Sequence, residues 1–324
     1  MMICPRWSLV SLVVLALVLP GGVCAQDLSP IRVGGEPAVV FKAGVDVVTL
    51  TAVVRDQDGR VVRDLERSDF EVLDTGIPRS ISNFHSGDAP ISLGILLDVS
   101  GSMAVGGNID RGRSAVGIAM DMLGGADDEA ALYTFDATLH EAVDFTKNLD
   151  AVRTASLDGE PWGTTSLYDA IGAAASHVAG RANRHRALLV VTDGADTSSR
   201  LSAAEVSGIA SAIDVPVYVL TVVTPLDHQG GEPSAPTVGG VRANSGTLAD
   251  LSRWTGGNMK VASVPERAGE AIRALLAELR YQYLITFESG AAPGWHPLEV
   301  RTPNNILTVH ARSGYISGPS PSDR

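Results

Sequence analysis

Cysteine is almost absent: the 324-residue chain has two, Cys4 and Cys24. Both fall in an N-terminal stretch that reads as a secretory signal. It carries one charge at Arg6, a short apolar run from Leu9 to Leu19, and the small-residue pattern GGVCAQ, with cleavage expected after Ala25. The run is too short and wrongly flanked for a spanning helix. The exported chain would then hold no thiol and no disulfide, and must be stabilised by an ordinary core. At 45% hydrophobic composition it has material for one large or two smaller domains.

Other absences narrow the function. No later apolar run reaches transmembrane length. Acids outnumber bases 37 to 25, a net charge of -12 that is spread along the chain, and no basic patch appears. Nucleic acids and anionic membranes are therefore poor partner classes. The seven histidines are scattered, with no H-E-x-x-H spacing. Neither phosphate-cradling glycine loop occurs. GRSAVG (112–117) misses the spacing of a nucleophile elbow and lies in an expected helix. The expectation is a protein that is not an enzyme.

Three stretches differ in pattern. Residues 36–88 are β-rich: VDVVTLTAVVRD alternates, and FEVLDTGIPRSISNFH reads as two strands around the turn DTG. From 89 to 280 the pattern changes. ISLGILLD is a continuous apolar strand of the kind buried on both faces of a parallel sheet. After it, RGRSAVGIAMDML, SLYDAIGAAASHVAG, LSAAEVSGIASAI, TLADLSRWTG and VPERAGEAIRALLAELRYQY read as helices. EAALYTFD and ATLHEAVDF (a hairpin), RALLVVTDG, PVYVLTVV and NMKVA read as strands. Capping boxes are expected at Ser202–Glu205 and Ser263–Glu266. This alternation predicts an α/β fold with a doubly wound, mostly parallel, Rossmann-like sheet. Residues 281–317 return to β, as YQYLITFES, HPLEVRT and ILTVHARSGYI. Three strands rarely stand alone, so 36–88 and 281–317 are expected to pair as one small Ig-like β-sandwich flanking the inserted α/β domain. A disordered tail is expected over 318–324, and 226–246 reads as a long loop, either a binding loop or a plain insertion.

Polar residues gather where this sheet should present its carboxyl edge, the ligand-binding side of such folds. Asp98, Ser100 and Ser102 end the strand GILLDVSGSM; GTTSLYDA (163–170) leads into a helix; VVTDGADTSS (190–199) follows another buried strand and contains Asp193. Together they offer two carboxylates and the hydroxyls of Ser100, Ser102 and Thr164 or Thr165. Hard oxygen donors of this kind suit Mg²⁺, Mn²⁺ or Ca²⁺, not zinc or copper. A site so poor in charge leaves room for a carboxylate from outside.

DVSGS, the Gly-Thr-Thr loop before LYDA, and TDG resemble the metal-ion-dependent adhesion site of von Willebrand factor A domains. They stand in the family's order and on the expected elements. The resemblance implies metal ligation by Asp98, Ser100, Ser102, Thr165 and Asp193, with Thr164 the ambiguous neighbour and at least one aspartate acting through water. The flanks RDLERSDFEVLDTGIPRSISNF and VHARSGYISG are similar to exported bacterial proteins with a VWFA-related domain, common among acidobacteria. No Asp-Asp pair follows Ser102, so the adjacent regulatory ion site of integrins is not implied.

Each signal has a plainer reading beside it. Ser102 could cap a helix. Asp196, with Thr197, could shape the ligand face but suits an Asx-type turn or cap better. Trp162 is either an exposed binding anchor or a residue packed under its loop. Asp127 and Asp128 suggest a turn. The expectation is an exported protein, periplasmic or at the cell surface, that captures an Asp or Glu side chain of a protein or peptide partner at a divalent metal. The alternative is a structural cell-envelope component that uses the domain as a scaffold without metal-dependent binding.

Overall fold

A computed structural model describes residues 47–224, 247–290, 292–304 and 306–317. The expected signal segment, the 226–246 loop and the 318–324 tail lie outside the described residues.

The central sheet has six strands in the order β10 (Met259–Ala262), β9 (Val217–Val222), β8 (His185–Thr192), β5 (Ile91–Asp98), β6 (Glu129–Phe135) and β7 (Leu139–Thr146). All neighbours pair in parallel except the β6–β7 hairpin. β5 is buried at every position, because alternate residues feed two different cores. Ile91, Leu93, Ile95 and Leu97 meet α1 (Asn108–Met122), α2 (Leu149–Ala155) and α6 (Pro265–Arg280). Leu96 belongs to the core on the opposite face, where α3 (Leu167–Ala179) packs on β5 and α4 (Ala203–Ala212) and α5 (Leu248–Trp254) complete the cluster. Gly94 lets α3 approach closely, since a Cβ there would stand 2.6 Å from Val178 Cγ2. The fold is α/β, with a mostly parallel sheet covered on both faces.

The chain leaves β5 toward β6 on one side and later returns to β8 on the other. β5 therefore sits at the topological switch point, where the connections open a crevice at the carboxyl edge.

The flanking segments form two four-stranded sheets. One has the order β13 (Thr308–Ala311), β1 (Val47–Arg55), β11 (Tyr283–Glu288), β4 (Ile81–His85); the other β14 (Gly314–Ser317), β12 (Gly294–Arg301), β2 (Glu71–Asp74), β3 (Ile77–Arg79). One cluster joins them, including Leu50 and Phe287 from the first sheet and Val72 and Tyr315 from the second. Its aromatic rings interlock, with Phe70 and Tyr283 centroids 5.0 Å apart.

Several local expectations need correction. ILTVHARSGYI is two strands in two different sheets: between them Arg312 pairs only in an isolated bridge with Thr255, and its guanidinium donates to Ser211 O and Thr49 O. FEVLDTGIPRSISNFH is likewise three strands, the last of which, β4, crosses to the other sheet. The Ser202–Glu205 capping box forms. The Ser263–Glu266 box does not: Val264 is the N-cap of α6 and Pro265 holds its first position, so Ser263 lies one residue too early. Helix α2 and the Thr247–Asp250 capping box were not foreseen. Asp128 is more than a turn residue: buried, it accepts from Ile91 N (3.0 Å) and Gly125 N (2.8 Å) and pairs with Arg280 (2.7 Å).

Candidate metal centre

Parallel pairing sets the first part of the site. Leu97 lies beside Val191, so the next residues along, Asp98 and Thr192, are neighbours at the strand ends. The Thr192 hydroxyl donates to Asp98 Oδ2 at 2.6 Å. The chain then turns over its own carboxylate, and Ser100 N donates to Asp98 Oδ1 at 2.8 Å. The hydroxyl oxygens of Ser100 and Ser102 stand 3.2 Å apart. Asp98 and Ser100 are fully buried, while Ser102 is half-buried. Ser102 is not a cap: it lies inside the 3-10 turn 101–107, whose N-cap, Ser100, makes no side-chain capping bond.

The Gly-Thr-Thr loop is sewn to this turn through the backbone. Trp162 N donates to Val99 O (2.8 Å) and Gly101 N to Gly163 O (3.1 Å). Gly163 has φ +86°, a left-handed conformation that side-chain-bearing residues adopt at a cost, and it passes close to Asp136. Thr165 is fixed from the third cluster: its N–H donates to Thr197 Oγ1 (2.9 Å), and its carbonyl accepts from Thr197 N and Ser198 N. Thr165 is 3% exposed, and its hydroxyl makes no hydrogen bond to any described residue. Asp193, half-buried, follows Thr192 directly and accepts from Ala195 N at 3.2 Å.

Asp98 and Ser100 therefore touch, Ser102 touches Ser100, and Asp193 faces Asp98 closely enough to repel its charge. Thr165 reaches the same edge through the backbone bonds of its loop. The remaining candidates divide. Asp196 Oδ1 accepts from Leu167 N (2.9 Å) and Ser199 Oγ (2.6 Å), so this carboxylate serves the start of α3. Thr164 is exposed and accepts from Ser198 Oγ at 3.1 Å. Trp162 is 81% exposed, standing out from a backbone fixed to the residue after Asp98.

Two residues escaped the reading of the sequence. Thr192 supports Asp98, and the signal was a lone hydroxyl closing the apolar run ALLVV. Asp136 closes β6 at the same edge, and its carbonyl accepts from Ser166 N at 2.8 Å. Its signal was an acid ending an apolar strand, as in β5.

The electrostatics favour a cation. Burial above all, with a smaller contribution from the charge of Asp193, pushes the Asp98 carboxyl up to about 6, even though the bonds from Ser100 and Thr192 lower it. Among the described residues no lysine or arginine forms an ion pair with it. A buried carboxylate without a cation is costly. Among the described residues no three His, Cys, Asp or Glu side chains converge on one point. A cation at Asp98 would thus rest largely on hydroxyls, donors that fit a hard divalent ion. Thr165, 3% exposed, brings a hydroxyl with no hydrogen-bond partner among the described residues.

The strand order and the polar residues at the switch point define an α/β domain with a candidate binding site at the sheet's carboxyl edge. Residues 93–195 match the family model for the von Willebrand factor type A domain. Solved structures similar to the chain include the conserved hypothetical protein BatB from Bacteroides thetaiotaomicron, at 18% identity over 58% of this chain and 98% of that one, with a TM-score of 0.45. A von Willebrand factor type A protein from Catenulispora acidiphila shows 13% identity over 76% and 72%, with a TM-score of 0.47. The vWF domain of the type V pili tip protein Mfa5 from Porphyromonas gingivalis shows 18% identity over 33% and 38%, with a TM-score of 0.30. No curated protein matches the chain. Among the described residues no helix is long and apolar enough to cross a membrane.

Proposed function

We propose that the chain is an exported binding protein that captures a carboxylate of a protein or peptide partner at a divalent metal held by Asp98, Ser100, Ser102, Thr165 and Asp193, without catalysing a reaction. The observation that carries this reading is Asp98. It is fully buried at the switch point, without an ion-pair partner among the described residues, and the charge of Asp193 nearby raises its pKa. A divalent ion such as Mg²⁺ supplies compensating charge there and leaves a position for an outside oxygen ligand. Ser100 and Ser102 present hydroxyls 3.2 Å apart, and Thr192 holds one carboxylate oxygen of Asp98 in place. Trp162, exposed beside this turn, offers an apolar anchor for the partner. The Mfa5 domain comes from a pilus tip protein, and a role in adhesion or envelope assembly fits that company.

Titration calorimetry with Mg²⁺ or Mn²⁺ tests the metal centre: the wild type should bind and Asp98→Ala should not. Equal heats in both, or none in either, would defeat the reading. A pull-down from cell-surface proteins with and without chelator tests the partner step. Capture that survives the chelator would favour a scaffold role for the domain.

A further inference from the structure

A cavity of about 600 Å³ lies at the junction of the α/β domain and the β-sandwich, within the size range of small-molecule sites and in the kind of place where they occur. Arg184 and Arg186 line it where the chain enters β8. β8 runs from there to the metal edge over eight residues, roughly 23 Å at 3.3 Å per residue. The cavity and the metal centre are therefore at opposite ends of one strand.

Its charge is unusual for this chain. Arg312, at the back of the cavity, donates to Ser211 O and Thr49 O, and its Nε stands 3.5 Å from Asp214 Oδ1. That pair cancels internally. Arg186 donates to the carbonyl of Ala179 at 2.6 Å and forms no ion pair with any described residue. Arg184 is exposed, with neither a hydrogen bond nor an ion pair among the described residues. Two guanidinium charges are thus left unneutralised beside one cavity, in a chain whose net charge is -12. Guanidinium matches the planar, bidentate geometry of carboxylate and phosphate. The other wall is apolar, with Val47 and Ile316 61% and 47% exposed and Ile213 beside them.

We propose that this cavity binds a small organic anion, a carboxylate or phosphate head on an apolar body, with the head on Arg184 and Arg186 and the body against Val47, Ile213 and Ile316. The site is independent of the metal centre and stands whether or not that reading holds.

The test is titration calorimetry of the full chain with hexanoate, hexyl phosphate, acetate and hexanol, in buffer without divalent ions so that no carboxylate can bind through a metal. At least one of the two six-carbon anions should bind, and whichever binds more tightly identifies the preferred head. Acetate should be at least tenfold weaker than hexanoate if carboxylate is preferred, and hexanol should give no heat. Arg184→Gln should weaken the preferred anion at least fivefold and Arg184→Glu should abolish its binding. Arg184 has no side-chain partner among the described residues, so both variants should keep the wild-type urea midpoint. Asp98→Ala should bind the anion as the wild type does. Absence of binding by both six-carbon anions, hexanol binding equal to theirs, full affinity in Arg184→Glu, or loss in Asp98→Ala would overturn the proposal.

Discussion

The Thr192 hydroxyl donates to Asp98 Oδ2 at 2.6 Å, although 94 residues separate the two in sequence. The bond joins the ends of β8 and β5, and it is the contact through which the third polar cluster supports the first. Thr192→Val keeps the shape and removes the donor. The variant should lose about 1–2 kcal/mol of stability in urea unfolding. Its Asp98 carboxyl should titrate higher than in the wild type, because a bond to the charged form is gone, and Mg²⁺ affinity near neutral pH should fall with it.

His185 should make the fold acid-sensitive. It is fully buried, and desolvation, reinforced by His85, lowers its pKa to about 4. A histidine lowered in the folded state favours folding above its unfolded value near 6.5, and that stability is lost as pH falls from there toward 4. The loss amounts to at most about 3 kcal/mol. Urea midpoints of His185→Phe should change less between pH 7 and 4 than those of the wild type. Parallel curves would refute this, since His310, also lowered to about 4, would then be the main acid-sensitive group.

Gly94 should tolerate no larger residue. Its missing Cβ is the space in which Val178 of α3 rests. Gly94→Val should cost about 1–3 kcal/mol by overpacking. Val178→Ala in the same chain should recover part of that cost, a coupling that a double-mutant cycle measures. Strict additivity would show that α3 does not press on β5 as described.

Trp162 should matter for binding and not for folding. At 81% exposed it loses little packing on truncation, so Trp162→Ala should stay within about 0.5 kcal/mol of the wild type in urea. Its Mg²⁺ heat should be unchanged, while metal-dependent capture of a surface partner falls. A destabilised Trp162→Ala would mean that the indole packs against its loop.

The amino-acid order alone made the α/β character of the middle of the chain legible. ISLGILLD and RALLVVT are apolar without interruption because both faces of such strands are covered, and the capping box at Ser202–Glu205 is a local hydrogen-bond pattern that tertiary structure had no reason to change. The polar residues at the strand ends were legible for the same reason: a run that must stay dry can admit oxygen-bearing side chains only where it stops. Tertiary structure decided what depends on neighbours far away in sequence. Register put Thr192 on Asp98, two backbone bonds through Val99 and Gly101 carried the Gly-Thr-Thr loop to the same edge, and α3 claimed the carboxylate of Asp196. One apparent strand divides at Arg312, whose backbone bridges to Thr255 while its guanidinium reaches carbonyls on α4 and β1. Periodicity records which face of a strand is buried; it carries no record of which strand lies beside it, and the site is made of those pairings.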